Sequence, residues 1–314
     1  MTARKKWILL FGCALLALWV ALADRGNSQP SYKGRTLREW AMIRAFSHPE
    51  NLVADAEEAI CNTGTNGIPT ALGWVSYNPA ESRINSFRWK LSRLPLPQVL
   101  NDALLRPFHE QERLGYCIDV VFYLLNTNAA SAIPALAQIA KTNRDVVVAE
   151  RAVRALWRIG PQTIPELVGI IEDTNSFARA DAVYKLGLIQ HQRHDPAVAS
   201  LFLKSAQDPD ANVSANAVEW LGRMSTPVQD AIPVLIAALR SSHPLTRVEA
   251  ARALAQYGAG ALPAVPQLEV NLHDLDFLVR IEAAMALGKI APERFTKAPD
   301  QILKLYTPEP AAPR

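Results

Sequence analysis

The sequence predicts an all-α chain folded as a right-handed α-solenoid, an α-α superhelix of about eight helix pairs, and three observations predict it. An apolar anchor recurs at Ile60, Leu91, Leu125, Leu156, Leu186, Leu221, Leu254 and Leu287, at intervals of 30 to 35 residues. A period of that length marks units that cannot bury an apolar face alone and therefore stack on their neighbours. Four residues before five of these anchors stand Ala152, Ala182, Ala217, Ala250 and Ala283. Positions four apart share one helix face, and alanine there lets two backbones approach closely. An aliphatic-proline pair, at Ile68-Pro69, Ile133-Pro134, Ile164-Pro165, Ile232-Pro233 and Leu262-Pro263, opens a shorter preceding helix. Proline suits a first helical turn, whose amides have no intrahelical partner. No convincing β-strand run is present.

The elements follow in chain order. Arg4, Lys5 and Lys6 precede an unbroken apolar stretch from Trp7 to Ala23. Segment 1–23 reads as a signal peptide, with Ala21-Leu22-Ala23 as its cleavage site, or as a retained signal-anchor transmembrane helix, because its length lies near the lower limit for spanning a bilayer. Lipidation at Cys13 is a third reading. Each places the body outside the cytosol, membrane-anchored or periplasmic or secreted, with the basic cluster on the cytoplasmic side. The membrane is then a partner through the N-terminal segment if that segment stays uncleaved. Residues 24–35 read as a polar linker, and the solenoid is expected over 36–293, most regular over 131–293. Residues 294–314 hold a short amphipathic helix, DQILKLY at 300–306, and a flexible tail rich in proline and alanine.

Within each unit the second helix follows a polar pair two residues apart: Asn143 and Asp145, Asp173 and Asn175, Asp208 and Asp210, Ser241 and His243, Asp274 and Asp276. Short polar side chains there accept hydrogen bonds from the free amides of the first turn. The first helices, IPALAQIAK, IPELVGIIED and IPVLIAALR, space their aliphatics helically. All these features meet in DLDFLVRIEAAMALGKI at 274–290, which resembles the HEAT repeat, particularly the short bacterial type named after phycobilisome lyases. The resemblance covers 131–293 closely and 36–130 loosely, and YKGRTLREW at 32–40 is similar to a segment near the start of exported bacterial HEAT proteins. It implies a ladder between repeats, built from an aspartate and an arginine six residues apart. Asp173 with Arg179 and Asp274 with Arg280 fit; Asp208 meets Ser214 and Arg247 meets Ser241, so the ladder is expected to be partial.

A chain 49% hydrophobic has the material for a large interior. Its net charge of +3 comes from Arg4, Lys5 and Lys6 alone; removing these three from 33 basic residues leaves 30, against 30 acidic ones. A nucleic-acid solenoid would carry a basic excess to displace counterions, so nucleic acid is excluded as a partner. The basic stretch SFRWKLSR at 86–93 is expected to be an amphipathic second helix burying Ile84, Phe87 and Leu91. Cys61 and Cys117 sit in apolar helical patterns that favour unpaired packing over a disulfide.

Candidate chemistry is sparse. His191 and His194 with Asp195 lack the further ligands a zinc site needs nearby, and the paired aspartates lack the glycine-containing loop of a calcium site. HEAT-type iron hydroxylases use several His-Glu dipeptides, whereas this chain has His109-Glu110 alone. No Gly-x-Ser-x-Gly, Walker loop or dinucleotide fingerprint occurs. No catalytic residue, metal or cofactor is therefore assigned. The expected function is a non-enzymatic scaffold for a protein or peptide partner; the alternative is an enzyme or enzyme accessory resembling HEAT-type lyase or hydroxylase proteins. The resemblance implies that second helices line the concave side, where Arg154, Arg158, Tyr184, Arg223, Arg252 and Lys289 are the candidate partner-binding residues. The competing explanation is pairing within a helix, Glu150 with Arg154 and Asp181 with Lys185, which only solvates that face.

Overall fold

Seven of the eight anchors are at most 2% exposed. The computed structural model describes residues 30–47, 49–78, 83–93, 97–190, 195–224 and 226–295. The expected export segment, the His191 and His194 pair and the piece at 300–306 lie outside the described residues.

The chain enters through a hairpin, β1 (Ser31–Tyr32) and β2 (Arg35–Thr36), antiparallel with Tyr32 opposite Arg35. This corrects the expectation of a plain linker. Lys33 and Gly34 both take positive φ, 47° and 76°, the geometry that fits a two-residue turn to the twist of its strands. The Trp40 indole donates to the Tyr32 carbonyl at 2.8 Å and ties the hairpin to α1 (Leu37–Phe46), which opens on a capping box of Thr36 and Glu39.

Four further helices complete the first part: α2 (Glu50–Thr63), α3 (Ile68–Val75), α4 (Arg83–Ser92) and α5 (Gln98–Leu125). Five helix hairpins follow. They pair α6 (Ile133–Thr142) with α7 (Val146–Ile159), α8 (Ile164–Glu172) with α9 (Arg179–Gln190), α10 (Pro196–Ser205) with α11 (Ala211–Arg223), α12 (Val228–Ala238) with α13 (Pro244–Gln256), and α14 (Val265–Asn271) with α15 (Phe277–Ile290). Each anchor lies in a helix of its own. The Leu125 unit differs in that α5 runs unbroken for 28 residues and packs against α1, α2, α3, α4 and α7. The stretch Arg113–Thr142 is apolar enough to cross a membrane by length and composition, yet Cys117, Val121, Phe122, Leu125, Leu136 and Ala140 within it are spent on the core.

The second helices α5, α7, α9, α11, α13 and α15 form one row, and small residues set their spacing. The five alanines ahead of the anchors are fully buried. A Cβ on Gly187 would lie 2.2 Å from the Trp220 ring, and one on Gly222 would lie 2.6 Å from Ala253 Cα. The first helices touch one another far less. An array whose rows are spaced unequally bends toward the tighter row, so the second helices line the inner face.

The polar pairs do two jobs. The first member closes a turn on the amide of the second: Asn143 on Asp145, Asp173 on Asn175, Asp208 on Asp210, Ser241 on His243 and Asp274 on Asp276. The second caps the helix at Asp145, Asp210 and Asp276 through its side chain, whereas His243 makes no such bond and relies on Pro244. The ladder is partial and its rungs run between units. Arg179 clasps Asp208 with its two terminal guanidinium nitrogens, and Arg247 clasps Asp274 at 2.7 and 2.8 Å. Between them, where the rung would join positions 214 and 241, both are serine, and Ser214 instead meets the Thr246 hydroxyl at 2.9 Å. Burial pushes the Asp274 carboxyl up, but hydrogen bonds from Arg247 and the Asp276 amide, with the charges of Arg247 and Arg280, outweigh it and hold the group below its ordinary value.

Two expectations for the first part need correction. Phe87 is 55% exposed and Leu91 only partly buried, so α4 does not bury the face assigned to it; its Ile84 side chain lies outside the description. The reason is its position, packed on α5 as an addition to the row. Both cysteines are free, as expected, but only Cys117 is buried, and burial pushes its thiol up to about 11. Cys61 is exposed, its thiol turned toward the Leu124 carbonyl.

Candidate functional site

The residues two before and two after each anchor emerge on the inner face, and the structure brings most of them together through partners on neighbouring helices. Arg154 and Arg158 on α7 converge on Asp119 of α5, at 3.9 and 3.6 Å. Arg154 therefore pairs across the units and not with Glu150 on its own helix. The other intrahelical expectation holds: Lys185 lies 3.7 Å from Asp181. Arg223 pairs with Glu219 at 2.7 Å, and Arg252 bridges Glu249 and Glu282 at 2.8 Å each, tying α13 to α15. Glu219, Arg223, Glu249, Arg252 and Gln256 line a shallow cleft between α11 and α13. Lys289 stands apart, with no ion pair among the described residues, and joins no cluster.

Aromatic rings run between these charges, and this was missed in the sequence apart from Tyr184. The Arg158 guanidinium lies 4.2 Å from the Trp157 ring and 5.9 Å from Tyr123. The Lys185 ammonium lies 4.9 Å from Trp157 and 5.2 Å from Tyr184, and Tyr184 meets Trp220 with ring centroids 5.9 Å apart. Cations attract the negative face of an aromatic ring, so each contact holds its neighbours in place. Tyr123, Trp157 and Tyr184 thus form a belt across α5, α7 and α9, and Tyr184 rests on Trp220 of α11, which is buried in the core. Its sequence signal was a ring near each anchor, at 123, 157 and 184, in three successive units.

The acids under the belt are partly desolvated. Burial raises the Asp119 carboxyl although Arg154 and Arg158 oppose it, burial and the nearby Asp181 charge raise Glu150, and burial raises Asp181 against Lys185. Burial prevails because the opposing ion pairs are long, between 3.6 and 3.9 Å. Glu249 is likewise raised by burial. Arg151 has a different part: it is 3% exposed and donates to the carbonyls of Trp74, Val75 and Tyr77 at the end of α3. It joins the first part of the chain to the regular array.

The remaining candidates fall into place as structure. Asp208, Asp210, Asp274 and Asp276 serve as turns, caps and ladder partners. His109 is exposed on α5. Trp89 on α4 is 47% exposed and faces Arg93 at 5.5 Å.

The family comparison agrees with this architecture. Residues 133–208 and 198–288 match the family model of HEAT repeats. No curated protein matches the chain significantly. Among solved structures, the complex of CpcE and CpcF of phycocyanin lyase from Nostoc sp. PCC7120 is 23% identical, over 50% of this chain and 98% of that one, with a TM-score of 0.40. An engineered protein is 21% identical over 81% of this chain and 74% of its own, with a TM-score of 0.41. Human deoxyhypusine hydroxylase in complex with glycerol is 19% identical over 82% and 96%, with a TM-score of 0.28. Likenesses this distant carry no function across.

Proposed function

Residues 133–288 being HEAT repeats, we propose that the protein is an exported or membrane-anchored scaffold that holds a partner protein along its inner face. The observation that supports this most is the aromatic and cationic belt on α5, α7 and α9. Tyr123 at its edge is 59% exposed, on a face where neighbouring positions carry paired charges. Rings and arginines held in advance by cation–π contacts make good binding anchors, because little side-chain freedom is lost when a partner arrives. The apolar start of the chain supports export.

Placing a photocrosslinker at Tyr123 is expected to capture a partner in the native membrane fraction, whereas the same group at Gln138, exposed on the first helix α6, should not. Equal capture from both positions, or from neither, would reject the inner face. For export, a periplasm-active reporter fused after Arg314 should work and a cytosol-dependent one should stay silent; the reverse result overturns that part of the reading.

A further inference from the structure

The unit of α14 and α15 carries a ladder rung with no acid on it. Arg280 repeats the pose of Arg247: each Nη1 donates to the carbonyl six residues back, Arg247 to Ser241 at 2.8 Å and Arg280 to Asp274 at 2.7 Å. In the two closed rungs Nη2 then reaches an aspartate of the next unit, Asp208 for Arg179 and Asp274 for Arg247. Arg280 Nη2 has no acceptor among the described residues. Because its Nε is already enclosed, Nη2 is the nitrogen left open to an incoming acid.

The residues that follow hold what this rung lacks. Arg294 pairs with Glu269 of α14 at 2.8 Å and Phe295 packs on the core, so the chain turns from α15 back toward the row of first helices. Pro299 stands 12 residues after the anchor Leu287, as Pro233 of α12 and Pro266 of α14 stand 12 after Leu221 and Leu254. Ile302, Leu305 and Tyr306 have the spacing of one helix face, like the aliphatics of the earlier first helices. Glu309 comes 29 residues after Arg280, the interval that separates Asp208 from Arg179. We propose that residues 299–309 are a half unit, a first helix seated beside α14 that closes this side of the array, with the Glu309 carboxylate accepting from Arg280 Nη2. The reach suffices. Arg280 lies about 15 Å back along α15 from Ile290; eight helical residues from Pro299 return about 12 Å, and Thr307 to Glu309 add up to about 10 Å. Pro308, Pro310 and Pro313 exclude a second helix directly after it, so Gly288 in the inner row stays uncovered. A segment so placed stops the stack from continuing onto another copy, because it covers the side that an interior unit gives to its neighbour.

The test is made on the full chain. Amides of residues 302–306 are expected to exchange with deuterium at least about tenfold more slowly than in a free peptide of residues 296–314. Leu305→Asp should abolish that protection while residues 133–288 keep theirs. Glu309→Gln should lower the melting temperature by about 1–2 °C, and should lower it no further in an Arg280→Ala background, because both changes remove one contact. Exchange at the free-peptide rate overturns the proposal, and so does an equal loss from Glu309→Gln in both backgrounds. Protection that appears only as protein concentration rises, with dimers in light scattering, gives the place to a second copy and overturns it as well.

Discussion

The regular array from α6 to α15 and the first part from α1 to α5 are built from the same residue types, and they differ in how tightly the second helices are held. In the array the anchors are sealed, glycine and alanine bring backbones together, and arginine rungs lock successive units. In the first part Leu91 is only partly buried, α4 leans on α5 from outside, and Tyr116 and Tyr123 stand in solvent. The difference teaches where a repeat protein can spend side chains on something other than stacking. The belt begins where strict packing gives way, at the junction that Arg151 ties to α3, with Asn78 donating to Asp145 at 2.7 Å.

The comparison breaks most visibly at the anchors. Leu221→Asp places a charge in a fully buried site and should abolish cooperative unfolding of the array, a loss above about 4 kcal/mol. Leu91→Asp, at a partly exposed site, should cost no more than about 1 kcal/mol. Thermal melts of the two variants check this. Equal losses would mean that the first part is packed as strictly as the array.

A smaller contrast lies between two glycines that follow anchors. Gly187→Ala drives a methyl into the Trp220 ring and should cost about 1–3 kcal/mol in denaturant unfolding. Gly288→Ala meets nothing within 4 Å at the end of the row, so helix propensity alone acts and the variant should gain about 0.5–1 kcal/mol. A loss at both positions would show that Gly288 too is covered by another helix.

Next in size is the ladder. Arg247→Ala leaves Asp274 partly buried without its guanidinium and should cost about 1–3 kcal/mol in denaturant unfolding, whereas Ser214→Ala removes one hydroxyl pair and should cost about 0.5–1.5 kcal/mol. If the serine variant loses more, the hydroxyl contact and not the ion pairs holds the middle of the array.

Much of this was legible because it is local or periodic. The anchors, alanines and caps recur at fixed offsets, and a side chain accepting an amide two residues on is written in the sequence itself. The ladder was half legible: its residue types and its course between repeats could be read from the resemblance, but not which carboxylate each arginine clasps, as Arg179 does Asp208, 29 residues on. What escaped depends on neighbours in space. Arg154 had an acid four residues away in Glu150 and pairs with Asp119 instead, a choice set by how α5 stacks on α7. Tyr123, Trp157 and Tyr184 sit at different offsets from their anchors, two before, one after and two before, so no column of aromatics marks the belt. The hairpin at 31–36 is too short for any alternating pattern.

The smallest effect separates the two regions by the sign of their response to acid. Unfolded carboxyls titrate near about 4. Asp274 titrates lower in the folded chain, so its stabilisation is complete above that value and is lost as pH falls through the folded value beneath it. Asp119, Glu150 and Asp181 titrate higher when folded, so they weaken the fold at neutral pH, and the penalty is relieved as pH falls through their raised values toward about 4. Asp119→Asn combined with Asp181→Asn should therefore melt about 1–2 °C higher at pH 7 and lose the relative gain expected of the unmodified chain as pH falls from 7 toward about 4. Asp274→Asn should melt lower at pH 7 and keep that gain. The arginines left by Asp119→Asn stay solvated, at 40% and 31% side-chain exposure, so they do not reverse the sign. Parallel melting curves for the two variants from pH 7 to about pH 4 would mean that the belt acids are held as firmly as the ladder, and that the belt is one more packing surface.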